Sequence, residues 1–286
     1  MVFKHKNWID FCHIAPTAHL DLVDGRPVHL VLAHLIEEDN SYAQWYVDQK
    51  AKYDCTLIMD NSAFEMYKQN KPMYDPSKLI DMGKKVQADY IVLSDYPGHE
   101  AMETIEAATI QAPVFKEYGF GTFFVPQGKK GDLNDLLYSF KFAMNNPDVV
   151  DYIGISILAA PLAFDVEQGN NLQRFNSRLR LMYELDRIGW FEKILKNFQK
   201  IHMLGMLDGP NEIMFMKQFR KYIDTWDSSA AVWLGLNNET FDNSPTGRMD
   251  GKFEKEVDFD WKTEDTESLT KAIENMAYID YLCKES

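Results

Sequence analysis

Three apolar stretches of the sequence each end in an aspartate. Asp60 ends the stretch TLIMD, Asp95 ends YIVLSD, and Asp227 ends YIDTWD. Short apolar runs of this kind are typical of buried strands, so each carboxylate is expected where a strand reaches the protein surface. An ionised carboxylate can only accept hydrogen bonds. Two or three of them together would suit nucleophilic or general acid/base chemistry on a substrate that offers amide or amine donors.

Further polar and small residues accompany other apolar stretches. Gln127 and Gly128 follow GTFFVP, Gly154 lies within DYIGIS, and Gly205 follows IHML. A glutamine side chain can both donate and accept hydrogen bonds, and glycine lets a flat ligand approach the backbone. For any single aspartate of the set, the alternative is a helix N-cap or a loop residue without a chemical role.

Alternation of apolar strands with helical stretches would position these residues. This pattern predicts a parallel sheet with right-handed crossovers, and eight strand candidates favour an α/β fold that closes into a (β/α)8 barrel of the TIM type. All the strand ends that carry polar residues would then meet at one mouth. The strand candidates are residues 28–34, 56–60, 90–95, 121–125, 151–156, 201–206, 222–229 and 232–236.

The remaining segments complete the predicted organisation. The 286 residues fit a single barrel domain, and no linker divides them convincingly. Residues 1–27, which end in the turn-forming segment DGRP, predict a small N-terminal hairpin before the barrel. Residues 237–260 predict a long loop, and residues 266–283 predict a closing helix.

Composition restricts the functional classes. The chain has 30 Lys and Arg residues against 44 Asp and Glu, and its net charge of -14 argues against loose, charge-driven binding to nucleic acid or to an anionic membrane. No apolar run approaches the roughly 18 residues that a membrane span requires. Three widely spaced cysteines and a start that resembles no targeting segment favour a reducing cytoplasm.

Four histidines near the start of the chain raise the question of a metal site. His13, His19, His29 and His34 do not have the spacing of known ligand sets, so histidines without a metal are the favoured interpretation. No metal and no other cofactor are expected.

Six segments, taken in order, resemble those of the tRNA-guanine transglycosylase superfamily, and more closely its phage branch, the DpdA-type enzymes that insert 7-deazaguanines into DNA. The segments are DNSAF (60–64), SD (94–95), VPQG (125–128), YIGIS (152–156), HMLG (202–205) and IDTWDS (223–228). They are similar, in this order, to the family's Asp-Ser-Gly-Gly-Phe, its next strand-end aspartate, its Val-Gln-Gly-Gly, its glycine strand, its Tyr-Leu-Met-Gly, and the Ile-Asp-Met-Phe-Asp-Cys that contains the nucleophile.

The resemblance implies a β/α barrel that exchanges guanine in DNA for a 7-deazaguanine base such as 7-cyano-7-deazaguanine (preQ0). Asp227 would attack the anomeric carbon and hold a covalent glycosyl intermediate. Asp60 would be the general acid/base, which protonates the leaving guanine and later takes a proton from the incoming base. The base-binding residues implied are Asp95, Gln127, Gly128, Gly154, Gly205 and, by stacking on the ring, Phe64.

The partners implied are DNA and the free base, without a membrane, in the cytoplasm of a phage-infected host. Lys129, Lys130, Arg174 and Arg178 are candidates for phosphate contacts at the mouth, although a solvated helix face explains the arginines about as well. A homodimer and an accessory protein that helps to open the duplex are both compatible with the sequence.

The chain departs from the family pattern in several places. It lacks the family's zinc site of three closely spaced cysteines and a histidine, so no zinc subdomain is expected and DNA is favoured over tRNA. Ser62 and Ala63 replace two glycines, and Glu65 replaces a glutamine. Two alternatives stay open: a base-exchange enzyme of the same fold that acts on tRNA or a nucleoside, and a non-catalytic barrel that binds a 7-deazaguanine or nucleic acid.

Overall fold

A computed structural model describes residues 8–167, 171–206, 209–241 and 257–284. At its centre eight parallel strands lie in the order β1-β8-β7-β6-β5-β4-β3-β2, and the end strands β1 and β2 contact each other. The strands are β1 (Asp10–His13), β2 (Val28–Leu32), β3 (Thr56–Asp60), β4 (Tyr90–Val92), β5 (Gly121–Phe124), β6 (Tyr152–Ser156), β7 (Lys200–Leu204) and β8 (Thr225–Ser228). The predicted (β/α)8 barrel of the TIM type is confirmed.

Helices alternate with the strands. They are α1 (Ala33–Glu38), α2 (Asn40–Lys52), α3 (Ala63–Gln69), α4 (Pro76–Val86), α5 (Ala101–Glu117), α6 (Leu133–Asn145), α7 (Ala159–Ala163), α8 (Asn171–Arg187), α9 (Trp190–Lys196), α10 (Pro210–Phe215), α11 (Ala230–Leu236) and α12 (Thr266–Lys284), with 3-10 helices at Thr17–Val23 and Lys217–Tyr222. Within the described ranges, no helix combines the length and apolar character that crossing a membrane requires.

Two predictions about the ends of the barrel are wrong. Residues 8–27 form no hairpin, because β1 pairs in parallel with β8 as a barrel strand and a 3-10 helix follows it; residues 1–7 lie outside the described part. Residues 232–236, predicted as the eighth strand, belong to α11. The edge beside β8 is already occupied by β1. The short apolar run after β8 is buried as a helix instead, and periodicity alone does not separate these two states.

The predicted closing helix is confirmed as α12, whose first turn is capped by Asp265 through the backbone N–H of Ser268 at 3.2 Å. The helix packs against α11, which is buried along its whole length. Most of the loop predicted for residues 237–260 lies outside the described residues, since only 237–241 and 257–260 are described.

Three aspartates tie neighbouring strands together at the amino end of the barrel. Each precedes a strand, and its carboxylate accepts the backbone N–H of a residue in the preceding strand, whose carbonyl accepts the aspartate's own N–H. The carboxylate contacts are Asp89 with Leu57 at 2.8 Å, Asp151 with Thr122 at 2.8 Å, and Asp224 with Ile201 at 2.9 Å. These bonds fix the register of three strand pairs at the face opposite the mouth.

We expect Gly235→Ala to destabilise the barrel by about 2 kcal/mol or more, because its Cβ would lie 2.2 Å from the backbone of Ala272 in α12. Gly83→Ala in α4 is the matched control. The atom closest to its Cβ is the terminal methyl of the Ile91 side chain, at 2.4 Å, which can rotate away. Urea unfolding of both variants measures the difference. Equal losses of stability in the two variants would contradict the close contact between α11 and α12.

Candidate functional site

The barrel brings the three predicted strand-end aspartates to one mouth. Asp60 is the last residue of β3, Asp227 lies near the end of β8, and Asp95 follows β4. Desolvation raises the pKa of Asp60, and the charges of Asp95 and Asp227 at the same mouth add to that rise. The parallel arrangement therefore gathers carboxylates from three separate strands.

Asp227 is held through one of its two carboxylate oxygens. Its Oδ1 lies 2.8 Å from Nε2 of His202 and accepts the backbone N–H of Gly205 at 3.0 Å. His202 lies on the neighbouring strand β7 and is fully buried, whereas Asp227 keeps 5% of its surface exposed. Because both contacts end on Oδ1, Oδ2 is the oxygen available to a substrate in the mouth.

A buried ion pair supports the backbone segment that holds Asp227. Arg178 of α8 donates from Nη1 to the carbonyl of Gly205 at 2.9 Å and to Glu212 of α10 at 3.1 Å, and both charged side chains have no exposed surface. The indole N–H of Trp226 donates to the same carbonyl at 2.8 Å. Gly205 has a φ of 69°, which glycine adopts without strain. The segment is thus fixed in the orientation that points its N–H at Asp227.

Asp60 has a very different environment. Burial raises its pKa well above the usual value for an aspartate, and the charge of Glu65 raises it further. The backbone N–H of Ser62, 2.8 Å from Oδ2, opposes this rise. Ser62 itself has a left-handed φ of 58°, and its hydroxyl contacts Nδ1 of His34 at 2.9 Å. The tight turn after β3 keeps Asp60 at the mouth, in a setting that favours its protonated form.

Glu65 is a fourth carboxylate of the mouth that the sequence predictions did not assign. It lies in the first turn of α3, burial raises its pKa, and the charge of Asp227 adds to that rise. Its Oε2 is buried without a hydrogen-bond partner. The sequence signal was its position five residues after Asp60, at the start of the helix that leaves the same strand end.

Asp95 lies at the centre of a buried amide cluster. Asn61 donates to its Oδ1 at 2.8 Å and Gln127 donates to its Oδ2 at 2.6 Å. Burial raises the pKa of Asp95 to about 6, although these two hydrogen bonds oppose the rise. Gln127 is 1% exposed, and its Oε1 has no partner. The cluster therefore combines a carboxylate with an unsatisfied carbonyl acceptor.

The predicted base-binding glycines have packing roles in this structure. A Cβ on Gly128 would lie 2.5 Å from the backbone nitrogen of Leu136 in α6, and one on Gly154 would lie 2.5 Å from the ring of Phe123. Phe64, predicted to stack on a base, is half-buried in α3, and the ammonium of Lys68 lies 4.9 Å from its ring centre. The close packing at Gly128 and Gly154 explains both glycines without a ligand.

The four residues predicted to contact phosphate differ in exposure: the two lysines are exposed and the two arginines are not. Lys129 and Lys130 are exposed after β5, with their ammonium groups 3.4 Å from Glu100 and 3.3 Å from Asp165. Arg174 is half-buried. Arg178 is at odds with its predicted role, because a side chain with no exposed surface cannot contact a phosphate backbone outside the protein.

The early histidines do not gather. His13 contacts Asp280 at 3.1 Å, His29 packs edge-on against Trp45 and Tyr46, and His19 accepts the N–H of Thr263 at 3.2 Å. Among the residues that the structure describes, no three His, Cys, Asp or Glu side chains are arranged to hold a metal ion.

Comparison with known proteins adds no relative: no family model matches the chain, and no curated protein matches it. The fold and site define a TIM-type barrel whose mouth contains carboxylates in unequal environments. The resemblance to guanine transglycosylases therefore stays a prediction.

The raised pKa of Asp95 predicts a stability that depends on pH. The folded protein holds this proton up to a pH of about 6, whereas an unfolded aspartate loses it near 4. Asp95 therefore costs stability as pH rises through this window, on the order of 2 kcal/mol between pH 4 and pH 7. In Asp95→Asn that contribution should be absent.

Urea unfolding of both proteins at these two pH values measures this contribution as the change in their stability difference. Asp148→Asn, at an exposed position, is the control and should follow the wild type. A wild type and Asp95→Asn with the same pH dependence would contradict a raised pKa at Asp95.

Proposed function

We propose that the protein is a glycosyltransferase that exchanges guanine in DNA for a 7-deazaguanine base, such as 7-cyano-7-deazaguanine, through a covalent aspartyl intermediate. The observation that carries this proposal is that two carboxyl groups at one mouth differ in hydrogen bonding and in pKa. Asp227 accepts two hydrogen bonds on Oδ1, whereas Asp60 is half-buried at the end of β3, and desolvation together with the neighbouring carboxylates raises its pKa. A pair of carboxyl groups with separated proton affinities is suited to combine a nucleophile with a general acid.

In the first half of the reaction, Oδ2 of Asp227 attacks the anomeric carbon of the target nucleoside. The bond to guanine breaks, and the proton on Asp60 passes to the leaving base. In the second half, the incoming base gives its proton to the Asp60 carboxylate and attacks the same carbon, which frees Asp227. Covalent catalysis of this kind replaces one difficult displacement by two easier steps.

The amide cluster supports a guanine-like base as the ligand. A guanine edge offers adjacent N–H donors, and the cluster offers the Asp95 carboxylate with the unpartnered Oε1 of Gln127. A ligand N–H would satisfy this buried oxygen, whose desolvation otherwise costs free energy. Guanine and 7-deazaguanines share this edge, so one pocket can serve both halves of the exchange.

The nucleic-acid substrate is assigned as DNA on the resemblance to the phage branch. A base must leave the stack to reach a barrel mouth, which favours a melted, mismatched or single-stranded site. Because the protein carries a net charge of -14, its contacts with the phosphate backbone of DNA have to be local. The exposed Lys129 and Lys130 after β5 are candidates for these contacts.

We expect the wild type to incorporate 7-cyano-7-deazaguanine into a single-stranded DNA oligonucleotide and to form a covalent protein–DNA adduct when that base is withheld. Asp227→Ala should abolish both, and Asp60→Asn should slow incorporation roughly 100- to 10,000-fold. Nucleoside digestion with mass spectrometry measures incorporation, and a denaturing gel measures the adduct.

Parallel reactions with RNA and with free deoxyguanosine separate the substrate classes. An undiminished adduct in Asp227→Ala would refute the nucleophile. Thermal stabilisation by the base without turnover on any substrate would instead identify a binding barrel.

Glu65→Gln should shift the pH dependence of adduct formation. Loss of the Glu65 charge removes one cause of the raised pKa of Asp60, so Asp60 loses its catalytic proton at lower pH. The alkaline fall in the single-turnover rate should therefore move to lower pH. Glu100→Gln, at an exposed site, changes the net charge equally and serves as control. An unshifted profile in Glu65→Gln would show that Glu65 does not act on the catalytic proton.

A further inference from the structure

A buried hydrogen-bonded chain leads from Asp227 into the barrel interior, away from the mouth. Nε2 of His202 contacts Asp227, and Nδ1 of His202 lies 2.6 Å from the hydroxyl of Thr225. That hydroxyl lies 3.4 Å from the hydroxyl of Tyr152. The side chains of His202, Thr225 and Tyr152 are almost completely buried. No step of the exchange described above uses this chain.

The partners determine where the hydrogens lie. A carboxylate can only accept, so Nε2 of His202 carries a hydrogen and donates it to Asp227. The hydroxyl of Thr225 donates to the hydroxyl of Tyr152 at 3.4 Å. The contact between Nδ1 and Thr225 thus holds the His202 ring in the orientation that directs Nε2 at Asp227.

In the proposed reaction Asp227 alternates between a free carboxylate and a glycosyl ester, and the two donors to Oδ1 interact differently with these two states. Hydrogen bonds to an ionised acceptor are about twice as strong as those between neutral groups. His202 and Gly205 therefore stabilise the free carboxylate more than the neutral ester carbonyl of the glycosyl intermediate. Their effect is largest when negative charge returns to Asp227.

We propose that His202 is a positioning residue that makes Asp227 a good leaving group in the second half of the exchange, an inference that rests on the proposed function. The incoming base nitrogen forms its bond to the anomeric carbon and gives its proton to the Asp60 carboxylate. The bond from that carbon to Oδ2 breaks, and its electron pair returns to Asp227. The resulting negative charge is delocalised onto Oδ1, which accepts hydrogen bonds from the N–H groups of His202 and Gly205.

The specific consequence is an asymmetry between the two half-reactions. Removing the His202 donor raises the free energy of the carboxylate relative to that of the covalent ester. Resolution of the adduct slows more than its formation does, and the adduct accumulates. Loss of one charge-assisted hydrogen bond shifts the ratio of adduct to free enzyme by about tenfold.

The test compares His202→Phe, which keeps a ring beside Phe123 and Tyr152 but has no donor, with His202→Gln, which keeps an amide donor. Each protein is incubated with a single-stranded oligonucleotide that contains one guanine, and the adduct fraction is followed on a denaturing gel. Excess guanine is then added, and the rate of adduct resolution is measured. Thr225→Val is the matched control, because it leaves the Nε2 donor in place.

We expect His202→Phe to raise the equilibrium adduct fraction and to resolve the adduct about tenfold more slowly than the wild type. His202→Gln should lie between the two, and Thr225→Val, which keeps the Nε2 donor, should resolve the adduct at close to the wild-type rate. Resolution at the wild-type rate, or equal slowing of formation and resolution, would overturn the proposal, because a purely structural role slows both steps alike.

If His202→Phe does not fold, as judged by circular dichroism, His202→Leu, which also lacks a donor, decides. Slower resolution than wild type with unchanged formation supports the proposal, and equal slowing or no slowing rejects it. A wild type that forms no adduct with DNA, RNA or deoxyguanosine refutes the proposed function itself, and this inference falls with it. A wild-type adduct combined with symmetric variants refutes the inference alone.

Discussion

Four carboxylates share one barrel mouth, and desolvation there makes it costly for all of them to be ionised together. Each of the four carboxylates has a different environment, which reduces this cost. Asp227 receives two hydrogen bonds on one oxygen, and Asp95 receives amide donors on both. Asp60 and Glu65 receive less compensation, and burial raises the pKa of both, as it does that of Asp95. The chemistry available to the mouth follows from this inequality, because identical carboxylates could not divide the roles of nucleophile and acid.

The same residue type has the opposite role at the other end of the barrel. There, Asp89, Asp151 and Asp224 each accept a backbone N–H from the preceding strand, and lysines lie beside the first two. These carboxylates are compensated locally and hold strands in register. The carboxylates that hold the strands in register and those of the candidate site thus lie at opposite ends of the strands, a division that is general for TIM-type barrels. Environment, rather than residue identity, distinguishes the two sets.

The sequence predicted the barrel and the shared mouth of its aspartates, because apolar runs mark strands and parallel strands end together. It could not predict contacts that depend on register between strands. His202 reaches Asp227 because β7 and β8 align His202 with Thr225, two residues before Asp227. Glu65 faces the mouth because the left-handed turn at Ser62 directs the start of α3. The strand β1 was missed because four residues with polar ends carry too weak a pattern.

The pairing of β1 with β8 places Cys12 opposite Asp227, and these two residues lie far apart in the chain. Most neighbouring strands in the barrel are joined by a single crossover, so their loops close at modest entropic cost. The β1–β8 seam requires the longest loop of all. We therefore expect β8, which carries Asp227, to acquire its second neighbour late in folding. A chain arrested before that event would hold most of a barrel, but the surroundings of Asp227 at the mouth would still be incomplete.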